Sequence, residues 1–467
     1  MYRLMHFAGF SIVCLGLVGC ENRGSQPESG RATSQLSIAS PLTVRTELNR
    51  EKLDLESRAT ISLPSEPGNN GIEYIVKEAR AFFDDLVLRF SSDHDALDVR
   101  ARFFYLIGDH EIARTCWEEA IKLNARDPYS HNGLGLIHQA NNDFQSALES
   151  FLRASQYKPN DPTLKVHISR SLLKLGKIEE AIEVIRACTV VHPDLVEAWE
   201  LLGQTCQADQ QYEQANQAFA QAVRRAPQNF IAQQGMLATL VRMNQHAEAQ
   251  KWLELQKSSR SHLKHEQSPD QHHKTEVHKL TQHLALAANV YLKHSKNDLA
   301  IITLRYADAI SANEESPKQS LVELFLRLGR IDDAIATTNE LVKIAPQRVD
   351  YRLGLVDLHL RKNNWTLAET NIDEAVALEP KNPQVHVALC KLLLASRMND
   401  KRLLEASKSL VKLRGNASDF ALMAKAQHIN GSTSNAIDAL KTAIEMEPNN
   451  SSYKSILSQL EARKTLP

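Results

Sequence analysis

The sequence predicts an all-α protein, an α-solenoid of antiparallel helix pairs, and three observations carry the prediction. Alanine recurs at a fixed interval: Ala113, Ala147, Ala181, Ala215 and Ala249 are each 34 residues apart, and Ala300, Ala334 and Ala368 repeat the spacing. Four residues after each alanine of the first run stands a large side chain: Trp117, Phe151, Ile185, Phe219 or Leu253. Only 17 Gly and 16 Pro occur in 467 residues, below the usual ~7% and ~5%, which excludes collagen-like and wholly disordered readings. A Gly-rich barrel is disfavoured for the same reason. The length could hold several globular domains or one long array, and the fixed interval selects the array.

Residues 1–19 form a separate object. A single early base, Arg3, precedes an apolar run from Phe7 to Val18, too short for the ~20 residues of a membrane-spanning helix and suited to a secretory signal core. The ending Leu17-Val18-Gly19-Cys20 resembles the lipobox of bacterial lipoproteins. That resemblance implies cleavage before Cys20, lipid attachment to its thiol and acylation of the new terminus. Two or three acyl chains hold a protein durably where one binds reversibly, so the mature chain is expected to be tethered to a membrane. Glu21 stands where inner-membrane retention usually wants Asp, which leans the expected location towards the outer membrane. Residues 20–70, with scattered Ser, Pro, Gly and Asn, read as a disordered, lipid-anchored linker whose coil span is roughly 40 Å.

Residues 71–93 have an amphipathic pattern expected to cap the array at its N-terminal end. Next come five units over 94–263. Trp199-x2-Leu202-Gly203, Ala215-x3-Phe219 and Pro227, preceded by Leu134-Gly135, Ala147-x3-Phe151 and Pro159, resemble the tetratricopeptide repeat (TPR) family. The resemblance implies a right-handed superhelix of stacked helix pairs, of ten units in all. The alanine lets the second helix approach the first, and the large side chain one turn later fills the space beside it. Pro159, Pro193, Pro227, Pro346, Pro380 and Pro448 end second helices, since proline cannot continue them. Asp127-Pro128, Asp161-Pro162 and Asn382-Pro383 read as a cap followed by a first-turn proline.

A 17-residue insertion, 264–280, separates Ala249 from Ala300, which lie 51 rather than 34 apart. Five further units follow over 281–450. One of them puts Arg402 at the alanine position, with Ala406 as the nearest substitute and a stretched turn expected around Arg397–Lys401. Residues 451–467 carry Tyr453, Ile456, Leu457 and Leu460 at helical spacing and read as a C-terminal capping helix.

No phosphate loop, nucleophile elbow, H-E-x-x-H or C-x-x-C occurs, and the repeats leave no room for a catalytic domain. The chain therefore reads as no enzyme, with no catalytic residue, cofactor or small-molecule substrate. With 55 Lys+Arg against 56 Asp+Glu the net charge is -1, so no bulk field draws nucleic acid. The insertion is rich in histidine, and His262, His265, His272, His273 and His278, with His283 beyond them, offer an alternative reading as a divalent-metal surface. Their spacing matches no defined ligand geometry, and a polar surface loop explains them as well. Cys188 and Cys206 lie in successive helices, either as a disulfide or as buried free thiols.

The TPR resemblance implies a concave groove lined by positions 2, 5, 9, 12 and 13 of each first helix. Here those positions include Asn132, Gln139, Arg170, Lys174, Glu197, Gln204, Gln207, Gln234, Asn289, Glu323, Arg327, Asp357, Arg361 and Lys391. The set is amide-rich and mixed in sign, suited to hydrogen-bonding a peptide backbone. No lysine occupies position 5, so the lysine clamp of some relatives is absent. The expected function is a membrane-tethered protein-interaction scaffold on the extracytoplasmic face of a bacterial envelope, in assembly or secretion. The other readings are a metal-binding surface protein and a non-catalytic, substrate-recruiting subunit of an enzyme complex.

Overall fold

The computed structural model describes residues 71–254, 269–311, 314–396 and 401–464. The signal segment, Cys20, the linker, His262 and His265 lie outside the described residues. What is described is all-α and forms two units, here residues 71–311 and 314–464.

In the first unit α1 (Gly71–Arg89) precedes the pairs α2 (His94–Leu106) and α3 (His110–Leu123), α4 (Pro128–Ala140) and α5 (Phe144–Tyr157), α6 (Pro162–Lys174) and α7 (Ile178–Val191), and α8 (Val196–Ala208) and α9 (Tyr212–Arg225). Then come α10 (Phe230–Arg242), α11 (described over 246–254), α12 (Pro269–Lys293) and α13 (Asn297–Ile310). The second unit pairs α14 (Glu315–Arg327) with α15 (Ile331–Ile344), α16 (Val349–Arg361) with α17 (Trp365–Leu378), α18 (Pro383–Ala395) with α19 (Lys401–Leu413), and α20 (Ala417–Ile429) with α21 (Thr433–Met446), and ends with α22 (Ser451–Lys464).

The periodic residues do what their chemistry dictates. Ala113, Ala147, Ala181, Ala215, Ala300, Ala334, Ala368 and Ala436 are wholly buried. The rings beside them close the pairs so tightly that a Cβ built on Gly133 would fall 2.1 Å from Trp117, and one on Gly203 or Gly235 would strike Phe219. Asp127, Asp161 and Asn382 each accept a backbone N–H from the first turn of the proline-initiated helix that follows. The described turns inside the pairs reuse one backbone device, a left-handed residue, as at Gly108, Asn142, Gly176, Asn244, Gly329, Asn363 and Gly431. Glycine and asparagine enter that region at least cost. Arg402 leaves the core and pairs with Glu369 and Asp373, while Leu403, Ala406 and Leu410 are buried instead.

Two expectations are corrected. The insertion is not a loop from Pro269 onward: residues 269–280 are the first turns of the 25-residue α12, with Val277 and Leu280 buried. Nor does 71–93 end the array. In an ordinary pair the first helix packs on its own second helix and on the next first helix, and α12 packs on α1 and α2 in that way. It thus supplies the first helix that α1 lacks, while also pairing with α13. The reason is chemical: α1 buries one broad stripe, Ala79, Phe82, Phe83 and Leu86 with Asp85 at its edge, and such a helix cannot end a stack facing water.

The closure is polar as well as apolar. Tyr291 Oη donates to Asp85 Oδ2 at 2.7 Å, and Tyr306 Oη donates to the Ile75 carbonyl at 3.1 Å. Lys293 Nζ lies 2.9 Å from Asp93 and 2.6 Å from Asp95, and His294 stacks on Phe90 at 4.0 Å while its Nε2 meets Asp93 at 2.6 Å. Burial alone would raise the Asp93 pKa, but the hydrogen bonds from Lys293 and His294 outweigh it and hold the carboxyl below its usual range.

Candidate functional site

The first-helix faces carry the expected groove residues, and the structure separates them by environment. In the first unit, Asn132 and Gln139 are half-buried, with side-chain oxygens that have no hydrogen-bond partner. Arg170 Nη2 and Glu197 Oε1 form a 2.7 Å ion pair that ties α6 to α8. Gln204 donates to Glu200, which also accepts from Asn229 at 3.1 Å. Gln207 is half-buried, whereas Lys174, Gln234 and Asn289 are exposed. No groove candidate comes from α2, whose Asp95 meets Lys293 of α12.

Beside this face lies His167, stacked on Phe151 at 4.9 Å, its Nδ1 without a partner. Burial, reinforced by the Arg170 charge, pushes His167 down to about 4. The unfolded chain then takes up this proton near pH 6.5 and the folded chain does not until about pH 4. Stability from His167 is therefore intact above pH 6.5 and falls as pH drops through that window, by at most about 3 kcal/mol at 1.36 kcal/mol per pH unit. Urea midpoints at pH 7.5 and 4.5 should differ less for His167→Gln than for the native chain; equal differences would dismiss the effect.

In the second unit the candidates divide differently. Glu323 and Arg327 pair within α14, and Asp357 and Arg361 pair at 2.9 Å within α16. Asp357 and Lys391 come together in the wall of a cavity of about 590 Å³ lined by α14, α15, α16 and α18. Val322, Leu326, Leu353, Val387 and Ala388 give it an apolar lining, and Gln319, Asp350 and Gln384 add polar groups. Asp350 pairs with Arg348, which also holds Glu315 at 2.9 Å. Gln319 Nε2 donates to Tyr351 Oη at 2.6 Å, and Tyr351 donates to Glu315. Burial, with the Glu315 hydrogen bond, pushes the Tyr351 hydroxyl up to about 12, so it remains a donor at neutral pH.

The cavity escaped the sequence reading, although a signal for it existed. The position four after Ala334 holds Thr338, where the first run has Trp117, Phe151 and Phe219. Opposite it stands Gly354, and a Cβ built there meets only the Thr338 methyl, at 4.0 Å. Two small residues at facing positions leave the volume that a ring would have filled.

Other chemistry is sparse among the described residues. Cys116, Cys188, Cys206 and Cys390 are buried free thiols, so Cys188 and Cys206 are not joined. His273 and His278 are exposed on α12; His272 lies on the same helix. The compact group with metal-ligand chemistry is Asp93, His94 and Asp95 instead, and both of its carboxylates are engaged by Lys293. No described helix is long and apolar enough to cross a membrane.

Comparison with known proteins agrees with this architecture. A tetratricopeptide repeat family model matches residues 101–162, 168–230 and 320–384, so the chain carries tetratricopeptide repeats. The photosystem I assembly protein Ycf3 of Synechococcus elongatus is 27% identical over 136 residues, 28% of this chain and 66% of that protein. The mouse BBSome complex member BBS4 is 26% identical over 132 residues, 28% of this chain and 25% of its own length. Among solved structures, YrrB, described as a TPR protein with an unusual peptide-binding site, aligns over 38% of this chain and 91% of its own, at 16% identity and TM-score 0.34. Yeast Tom70 aligns over 79% and 88%, at 14% identity and TM-score 0.31.

Proposed function

We propose that this chain is a lipid-anchored, non-catalytic scaffold that holds peptide or protein partners on the first-helix faces of its repeats, in envelope assembly or secretion. TPR proteins generally mediate protein–protein interaction, and a relative named as an assembly protein supports the same class of role. The observation that carries the reading is the second-unit cavity, lined mainly by apolar side chains with a few polar ones, the composition by which proteins bury a ligand and fix its orientation. The anchor rests on the lipobox-like Leu17-Val18-Gly19-Cys20, and two or three acyl chains would hold the body at an extracytoplasmic membrane surface, with Glu21 favouring the outer membrane.

Two measurements test the proposal. In cells fed labelled palmitate, the native chain should incorporate label and sediment with membranes. Cys20→Ala should do neither, and labelled Cys20→Ala would remove the anchor assignment. For the scaffold, a photo-crosslinker at Gln207 or Lys391 should trap a discrete partner that the same crosslinker on the outer helix α5 does not; identical adducts from both faces would remove the groove.

A further inference from the structure

The geometry points to the second-unit cavity as a receptor for an extended peptide segment that inserts bulky apolar side chains beside Gly354 and Thr338 and sets an acidic residue against Lys391. The assignment rests on the scaffold reading and names the chemistry of its ligand. Three properties of the cavity lead to it.

The first is volume. About 590 Å³ falls within the ~300–1,000 Å³ that encloses a drug-sized ligand, enough for more than one aliphatic side chain. The hole has a local cause, the small pair Thr338 and Gly354, and neither residue is small for the sake of the helix pair. Gly133, Gly203 and Gly235 are required because a ring lies against them. A Cβ built on Gly354 would have 4.0 Å to its nearest neighbour, and the glycine costs helix stability relative to alanine. The Thr338 hydroxyl donates to its own helix at Ala334 O, 2.7 Å away. Leu353, Val387 and Ala388 thus present an apolar lining that apolar atoms fill better than water.

Charge is the second property. Of the carboxylates at the wall, Asp357 is answered by Arg361, while Asp350 shares Arg348 with Glu315. Lys391 is exposed at the same wall and forms no ion pair among the described residues. One position 9 further on, Lys425 of α20 is likewise exposed. On the α18 side of the cavity the charge left without an ion pair is thus that of Lys391, and an acidic side chain is its complement.

The third property is the amide supply. An extended peptide brings backbone N–H and C=O groups that need partners, whereas a helix satisfies its own. Gln384 is exposed one turn from Val387 on the face that carries Lys391, and its amide both donates and accepts.

The test uses the full chain in detergent and short fluorescein-labelled peptides of serine and glycine with amidated C termini, read by fluorescence anisotropy. A peptide with two leucines followed by two glutamates should bind. Replacing the leucines by serine, or the glutamates by lysine, should weaken binding at least tenfold. Gly354→Leu fills the hole and should lower affinity at least tenfold while thermal unfolding stays level or rises; Thr338→Leu fills it from the other side and serves should the first variant fold poorly. Lys391→Glu should invert the preference towards the lysine peptide. Equal binding of acidic and basic peptides, or unchanged binding by both filled variants, would overturn the assignment. If no peptide binds while crosslinking at Gln207 still traps a partner, the cavity assignment falls and the scaffold reading stands.

Discussion

Tyr291→Ala is expected to destabilise the first unit by about 3–5 kcal/mol, the usual cost of truncating a buried aromatic side chain, and to loosen α1 and α12 together. The ring is 1% exposed, and its hydroxyl joins Asp85 and the Phe82 carbonyl across more than 200 residues of sequence. Burial, followed by the Asp85 charge, drives the phenol well above its ordinary pKa, so it stays a donor at any physiological pH. Removing the side chain opens a cavity and leaves Asp85, itself 2% exposed, with Arg89 at 2.8 Å as its remaining charged partner. Amide exchange should accelerate in α1 as much as in α12, because the two form one cooperative block. Tyr291→Phe, which keeps the ring, should cost about 1–2 kcal/mol through the orphaned acceptor. If α1 keeps native exchange rates in Tyr291→Ala, then α12 is not what covers it.

That closure marks the boundary of what the sequence disclosed. The helix pairs were legible because a 34-residue period samples one contact again and again: Ala215 and Phe219 mean the same thing as Ala147 and Phe151. Caps such as Asp127-Pro128 were legible because their chemistry is local. The partnership of α12 with α1 is neither periodic nor local, and the single apolar face of Ala79, Phe82, Phe83 and Leu86 gave no sign of which helix would cover it. The groove was legible at the level of register, so Asp357 and Lys391 stand in one cavity wall. Its shape was not, since shape follows from the volume missing at Thr338 and Gly354 rather than from the charged side chains that draw the eye. Register also says nothing of intramolecular pairing: Arg170 is held by Glu197 and Arg327 by Glu323, so neither charge is free to meet a ligand without first exchanging a partner.

Asp419→Ala is the second large loss, about 2 kcal/mol, from removing a helix cap and the hydrogen bonds of a buried carboxylate. Asp419 is fully buried. Its carboxylate accepts from Arg414 Nε at 2.9 Å and from the Asn416 backbone N–H at 3.2 Å, while its own N–H donates to Asn416 Oδ1 at 3.0 Å. The group therefore does two things, neutralising Arg414 and completing the capping box that starts α20. It also shapes its surroundings: burial first, then this negative charge, pushes the Cys390 thiol up to about 12, so that cysteine stays protonated and inert. The turn holding Arg414 includes Gly415 at φ 64°, a conformation that glycine adopts freely. Losing the carboxylate thus leaves an exposed guanidinium to water and the first turn of α20 without its cap, beside a backbone already committed to its geometry. Asp419→Asn should recover part of the loss, because an amide oxygen still accepts from Asn416 but cannot answer the charge. Hydrogen exchange across α19–α21 reads the outcome: rapid exchange confined to α20 would assign the effect to the cap, and acceleration extending through α19 to the ion pair. Native exchange rates throughout would show that Asp419 contributes neither.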